Sequence, residues 1–135
     1  MDTMYTWRSG EGWDSPTWPS ANDGLADITR WHYHEATGLL ESKEDAQNKS
    51  TQYTYLEGGR LHTRTWARIP AITTTYSYDP NTGELTGIDY SDTTPDIGFT
   101  YYRSGQRHTV SDAVGTRTFA YNTALQPDSE SLTGF

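Results

Sequence analysis

Two histidines separated by one residue, His32 and His34, are the first side chains in this chain whose type and spacing suggest chemistry. On a strand, positions i and i+2 share a face, so the two imidazoles would point the same way, as in some metal sites. The same register sets them opposite Trp31 and Tyr33, and no third ligand is identifiable nearby. Solvent-facing histidines on a polar strand face are therefore the expectation. His62 and His108 fall in later segments, where sheet curvature could bring them together. Carboxylates recur as Asp45, Asp79, Asp92, Asp96 and Asp112. A glycosidase needs two carboxyl groups about 5 to 10 Å apart across a sugar ring. No pair here is distinguished, and aspartates in turn-like contexts ordinarily punctuate loops. Asn48-Lys49-Ser50 fits the N-glycosylation sequon, which matters only in a secreted eukaryotic protein. No nucleophile motif, phosphate-binding glycine loop or general-base arrangement is present. The expectation is a non-enzyme with no metal and no cofactor.

The elements that position these residues are constrained first by composition. The chain has 135 residues, about one domain by length. Hydrophobic residues make up 33%, yet aromatics reach 13%, so tyrosine and tryptophan must supply much of the burial. Such a composition, with abundant Thr, Ser and Gly, suits pleated surfaces on which amphipathic rings pack while a polar tip stays wet. A net charge of -8 repels phosphate backbones and argues against nucleic acid or an anionic membrane as partner. There is no cysteine, which removes disulfides and thiolate metal sites. No apolar run approaches the roughly 18 residues of a membrane span. The start "MDTMYTWRSGEG" lacks the basic and apolar regions of a signal peptide.

A doublet of aromatics two residues apart occurs six times: Tyr5 and Trp7, Trp31 and Tyr33, Tyr53 and Tyr55, Tyr76 and Tyr78, Phe99 and Tyr101, Phe119 and Tyr121. First members are spaced 26, 22, 23, 23 and 20 residues apart, the mark of a repeat array. A glycine lies three to five residues past each doublet except the last, as Gly10, Gly38, Gly58 with Gly59, Gly83 and Gly105. These glycines are expected to end short hairpin loops. Leucine follows two residues later as Leu40, Leu61 and Leu85, with Arg107 in that place in the fifth unit. Alternation puts the aromatics on one face and Thr54, Ser77 or Thr100 on the other. In the second strand "LTGIDY", Leu85 and Ile88 fall on opposite parities. One hairpin alone is marginal in water, so the units should pair edge to edge into a continuous, twisted antiparallel sheet.

Between units lie "DSPTWPSANDG" (Asp14 to Gly24), "EDAQNKS" (Glu44 to Ser50) and "SDTTPDIG" (Ser91 to Gly98), read as linkers. The first is expected to be an ordered loop pinned by Trp13 and Trp18. "HEATGLLESKEDAQN" is rich in helix formers, but the repeat register overrules a helix there and places Gly38 in a turn.

The stretch "YSYDPNTGELTGIDYSD" resembles the YD repeat of Rhs and teneurin-type proteins, which runs roughly Tyr-x-Tyr-Asp-x-x-Gly-x-Leu, and "TQYTYLEGGRLHTRTWA" is similar to it. The signature aspartate is present at Asp79; Arg8, His34, Leu56, Tyr102 and Asn122 hold its place elsewhere. The resemblance implies an all-β array of tandem hairpins forming an arc of a spiral β-shell, with units starting near residues 5, 31, 53, 76, 99 and 119. It implies a structural role for the twelve doublet aromatics, and for Gly38, Gly59, Asp79, Gly83 and Gly105 as turn residues. It further implies a fragment or short relative of a large secreted or cell-surface protein whose shell encloses a C-terminal toxin or effector domain, or presents a surface. The lone Asp-Pro, Asp79-Pro80, lies in an ordinary repeat turn, so self-cleavage is not expected.

The rival expectation is a carbohydrate- or cell-wall-binding module that uses exposed aromatics of the repeats. Choline-binding arrays cage quaternary ammonium groups in aromatic rings, but their Gly-Trp pattern is echoed only by Gly12-Trp13 and Tyr101-Tyr102. A short array leaves two open strand edges, so self-association through them is expected.

Overall fold

The computed structural model describes residues 1–7 and 26–134. Arg8, Gly10, Gly12, Trp13, Trp18 and the segment Asp14 to Gly24 lie outside the described residues.

Among the described residues, eleven strands form one sheet in strict chain order: β1 (Asp2–Trp7), β2 (Ala26–Tyr33), β3 (Leu40–Glu44), β4 (Ser50–Tyr55), β5 (Leu61–Thr65), β6 (Thr73–Tyr78), β7 (Leu85–Tyr90), β8 (Ile97–Tyr101), β9 (Arg107–Asp112), β10 (Gly115–Tyr121) and β11 (Pro127–Thr133). Every pairing is antiparallel. Among the described residues there is no helix. The helix-forming stretch from His34 to Asn48 holds β3 and the turns on either side of it, because Leu40 is held opposite Tyr33 and Lys43 opposite Trp31.

Thr, Tyr and Ile fill the strands, as β-propensity favours, and the register sorts them onto two faces. Trp31, Tyr53, Tyr55, Tyr76, Tyr78, Phe99, Tyr101, Phe119 and Tyr121 share one face with Leu40, Leu61, Leu85, Ile88 and Val110. The reverse face is a field of hydroxyls. Thr54 and Thr63 meet at 2.6 Å, Thr100 and Thr109 at 2.6 Å, Ser111 and Thr116 at 2.9 Å, and Thr65 and Thr73 at 3.2 Å. Each pair satisfies two polar groups across a strand boundary.

Five hairpins carry the same irregularity. Thr54 opposes Thr63 while Tyr55 opposes Leu61, so His62 is an extra residue in β5. Glu41, Thr86, His108 and Asp128 are the equivalents in β3, β7, β9 and β11. A bulge shifts side-chain parity by one. That shift brings Leu85 opposite Tyr78 and Ile88 opposite Tyr76, both on the aromatic face, and resolves their opposed parities in the sequence.

β1 departs from this arrangement. It lies directly against β2, with Tyr5 opposite Ile28 and Trp7 opposite Ala26. Because Ile28 and Ala26 alternate with Thr29 and Trp31, Tyr5 and Trp7 fall on the face opposite Trp31 and Tyr33. Their rings stack with centroids 6.1 Å apart.

A single layer encloses little. Among the described residues only Ile72, at 6% exposure, and Thr74, at 2%, are buried. The rings of the aromatic face are otherwise half-buried or, at Tyr33, exposed.

Candidate functional site

The most distinctive arrangement is a set of contacts that join three successive hairpins to the ones before them. The hydroxyl of Tyr55 donates to the carbonyl of Leu40 at 2.9 Å, Tyr78 to Leu61 at 2.8 Å, and Tyr101 to Leu85 at 2.8 Å. In each case the second aromatic of a doublet reaches the carbonyl of the leucine that faces the preceding doublet. The ring spans the apolar face and its tip satisfies a carbonyl there. Burial pushes the Tyr55 phenol up from its usual pKa, and the neighbouring Tyr53 adds to the shift.

Turn tips are joined in the opposite sense, from one hairpin to the next. The Arg60 guanidinium donates to the carbonyl of Gly83 at 3.1 Å and lies 5.1 Å over the Tyr78 ring. The Gln106 amide donates to the carbonyl of Leu125 at 2.9 Å. On the aromatic face, cations cover rings: Lys43 over Trp31 at 5.5 Å, Arg107 over Phe99 at 5.4 Å and Arg64 over Trp66 at 4.0 Å.

Asp79 organises its turn through the side chain, accepting from the amides of Asn81 at 2.8 Å and Thr82 at 2.9 Å. These donors hold its carboxyl below the usual range, the Thr82 amide contributing most. His34 and Asn122, which stand at the equivalent position, make related contacts. His34 Nδ1 accepts from the Thr37 amide at 3.3 Å, and Asn122 Oδ1 from the amides of Ala124 at 2.9 Å and Gln126 at 3.1 Å. Asp45, Asp92 and Asp112 accept from backbone amides two residues ahead, and Asp96 from the amide of Tyr90. The Glu44-to-Ser50 segment is a tight turn in which Asn48 holds a φ of 57°. In the last hairpin Leu125, at φ 62°, occupies the left-handed position that Gly83 fills at 77°. Gly38, Gly59 and Gly105 also lie at positive φ in their turns.

The histidines remain apart. β5 and β9, which carry His62 and His108, have three strands between them, a separation on the order of 19 Å at the usual strand spacing. His108 instead packs against Tyr102, with centroids 4.4 Å apart. Among the described residues no group of three or more His, Asp or Glu is placed to hold a metal ion.

Sequence reasoning missed two features. One is the hydroxyl ladder, although a signal exists: phenylalanine occurs in the first place of a doublet and never in the second. The other is an open cleft of about 570 Å³ between the turn at residues 45–49 and the connection from Trp66 to Ile72. The Trp66 amide donates to the Ile72 carbonyl at 2.9 Å, and its indole Nε1 to Thr74 Oγ1 at 2.9 Å.

No family model matches the chain, and no curated protein matches it. Among solved structures it is similar to the crystal structure of TcdB2-TccC3-Cdc42, at 20% identity and a TM-score of 0.43, over 78% of this chain and 7% of that one. It is also similar to that of TcdB2-TccC3 without its hypervariable C-terminal region, at 18% identity and a TM-score of 0.45, over 95% of this chain and 8% of that one. The chain thus spans less than a tenth of either structure's chain.

Proposed function

We propose that this chain is a non-catalytic structural scaffold, an arc of β-shell of the Rhs/YD type with repeat units starting near residues 5, 31, 53, 76, 99 and 119. The observation that carries the reading is the eleven-strand open sheet whose successive hairpins are tied by tyrosine hydroxyls to the preceding leucine carbonyls. Such a sheet presents area without enclosing a pocketed core, which suits a wall better than an active site. The Tyr-x-Tyr-Asp-x-x-Gly-x-Leu resemblance points the same way.

In this reading the doublet aromatics are the contacts between units, and Gly38, Gly59, Asp79, Gly83 and Gly105 form the turns. The wall belongs to a larger parent chain and encloses a C-terminal toxin or effector domain, or presents a surface. Its open edges continue the sheet into neighbouring strands, so the isolated chain self-associates. Sedimentation velocity over a concentration series, with far-ultraviolet circular dichroism on the same sample, tests this. Strand-rich material that assembles reversibly is expected. A strand-rich particle that stays strictly monomeric at all concentrations overturns the open-edged wall.

A further inference from the structure

We infer that the cleft between the turn at residues 45–49 and the Trp66-to-Ile72 connection binds an acidic, carboxylated saccharide. Its lining includes Lys49 and Arg68 and no carboxylate. In a chain of net charge -8, two cations lining one concavity make a locally positive field. Arg68 Nη2 stands 3.7 Å from Asp92 Oδ2, and the Arg68 side chain is 60% exposed. So loose a pair in water contributes little and leaves guanidinium donors for a second partner.

Ser50, Gln52 and Thr65 share the lining with the two cations. Hydroxyl and amide groups donate and accept alike, which is the requirement for a polyol. Ile69, 97% exposed, gives the rim an apolar edge suited to the C–H face of a pyranose. The volume of about 570 Å³ lies within the range of small-molecule sites and takes a short oligosaccharide. The connection that carries Arg68 is anchored at Trp66 by its amide bond to Ile72 and its indole bond to the buried Thr74. Binding would therefore order little new structure. The site uses none of the doublet aromatics, and it stands whether or not the scaffold reading does.

The test is titration of the intact 135-residue chain with trigalacturonate and with its neutral methyl ester, followed by calorimetry and by amide shifts in heteronuclear NMR. Saturable binding of the acid is expected, with shifts confined to residues 49–52 and 65–71 and the ester roughly tenfold weaker or worse, because charge-assisted hydrogen bonds are lost. Lys49→Gln and Arg68→Gln should each weaken binding roughly tenfold. Arg103→Gln combined with Arg117→Gln, which removes two cations elsewhere, should leave affinity unchanged. Absence of saturable binding overturns the proposal, as does equal affinity for the ester. Equally tight binding of poly-glutamate would make the cleft an acidic-peptide site and overturn the saccharide assignment. Should a variant unfold by circular dichroism, the comparison of acid and ester on the unaltered chain still decides.

Discussion

Replacing one oxygen atom isolates what a tyrosine hydroxyl contributes to the joint between hairpins. Tyr78→Phe keeps the ring and leaves the Leu61 carbonyl without the donor now at 2.8 Å. The expected cost is about 1 kcal/mol in urea denaturation, the usual net value of such a bond; a variant as stable as the parent would mean that water replaces the hydroxyl without loss. Leu125 offers the opposite sign. A side chain at φ 62° carries strain that glycine does not, so Leu125→Gly should stabilise by up to about 1 kcal/mol. Acid should act through Asp79 and Asp92, whose carboxyls are both held below 3.8, Asp79 chiefly by the Thr82 amide and Asp92 chiefly by Thr94. A depressed folded pKa gives stability that is present above the unfolded value and lost as pH falls through the folded one. The melting temperature should therefore drop below about pH 4. The drop should be smaller in Asp79→Asn paired with Asp92→Asn, and an unchanged acid profile in that pair would assign the loss to other groups.

At the scale of elements, the bulges decide which residues face which way. Deleting Thr86 should restore plain pairing in the β6–β7 hairpin with Leu85 still opposite Tyr78 and Ile88 still opposite Tyr76, now two apart on one face, so that only the bend and twist of the bulge are lost. The deleted chain should still melt cooperatively, as should Thr86→Ser, which keeps the extra residue; loss of the cooperative transition in the deletion alone would show that the sheet depends on the bend and twist that the bulge adds. The strands themselves were legible in the doublets and their 20-to-26-residue spacing. The bulges were not, because Glu41, His62, Thr86, His108 and Asp128 share no residue type beyond being polar. Their trace was indirect: Leu85 and Ile88 lie three apart, a spacing that no unbroken strand puts on one face. The last turn escaped because Leu125 does what a glycine does elsewhere. The side on which Tyr5 and Trp7 lie follows from pairing with β2 across a long intervening segment, which alternation within β1 does not encode. The cleft was invisible for a related reason, since Lys49 and Arg68 are brought together by turns from different hairpins.

At the scale of the whole molecule, the described residues form one layer with two chemically distinct sides, aromatic and hydroxyl-bearing. With only Ile72 and Thr74 buried among the described residues, stability must be distributed along the sheet instead of concentrated in a centre. Truncation after Asp112, which removes β10 and β11, should consequently lower the urea midpoint while leaving the spectrum of the remaining strands intact. Complete unfolding of the truncated chain would show a single cooperative core instead. The strict order of the strands has a further consequence, for time. Each strand pairs only with its neighbours in the chain, so no pairing waits on the closure of a distant loop among the described hairpins. Folding should be fast for an all-β protein, able to begin at any hairpin, and able to advance behind a ribosome as each new strand emerges.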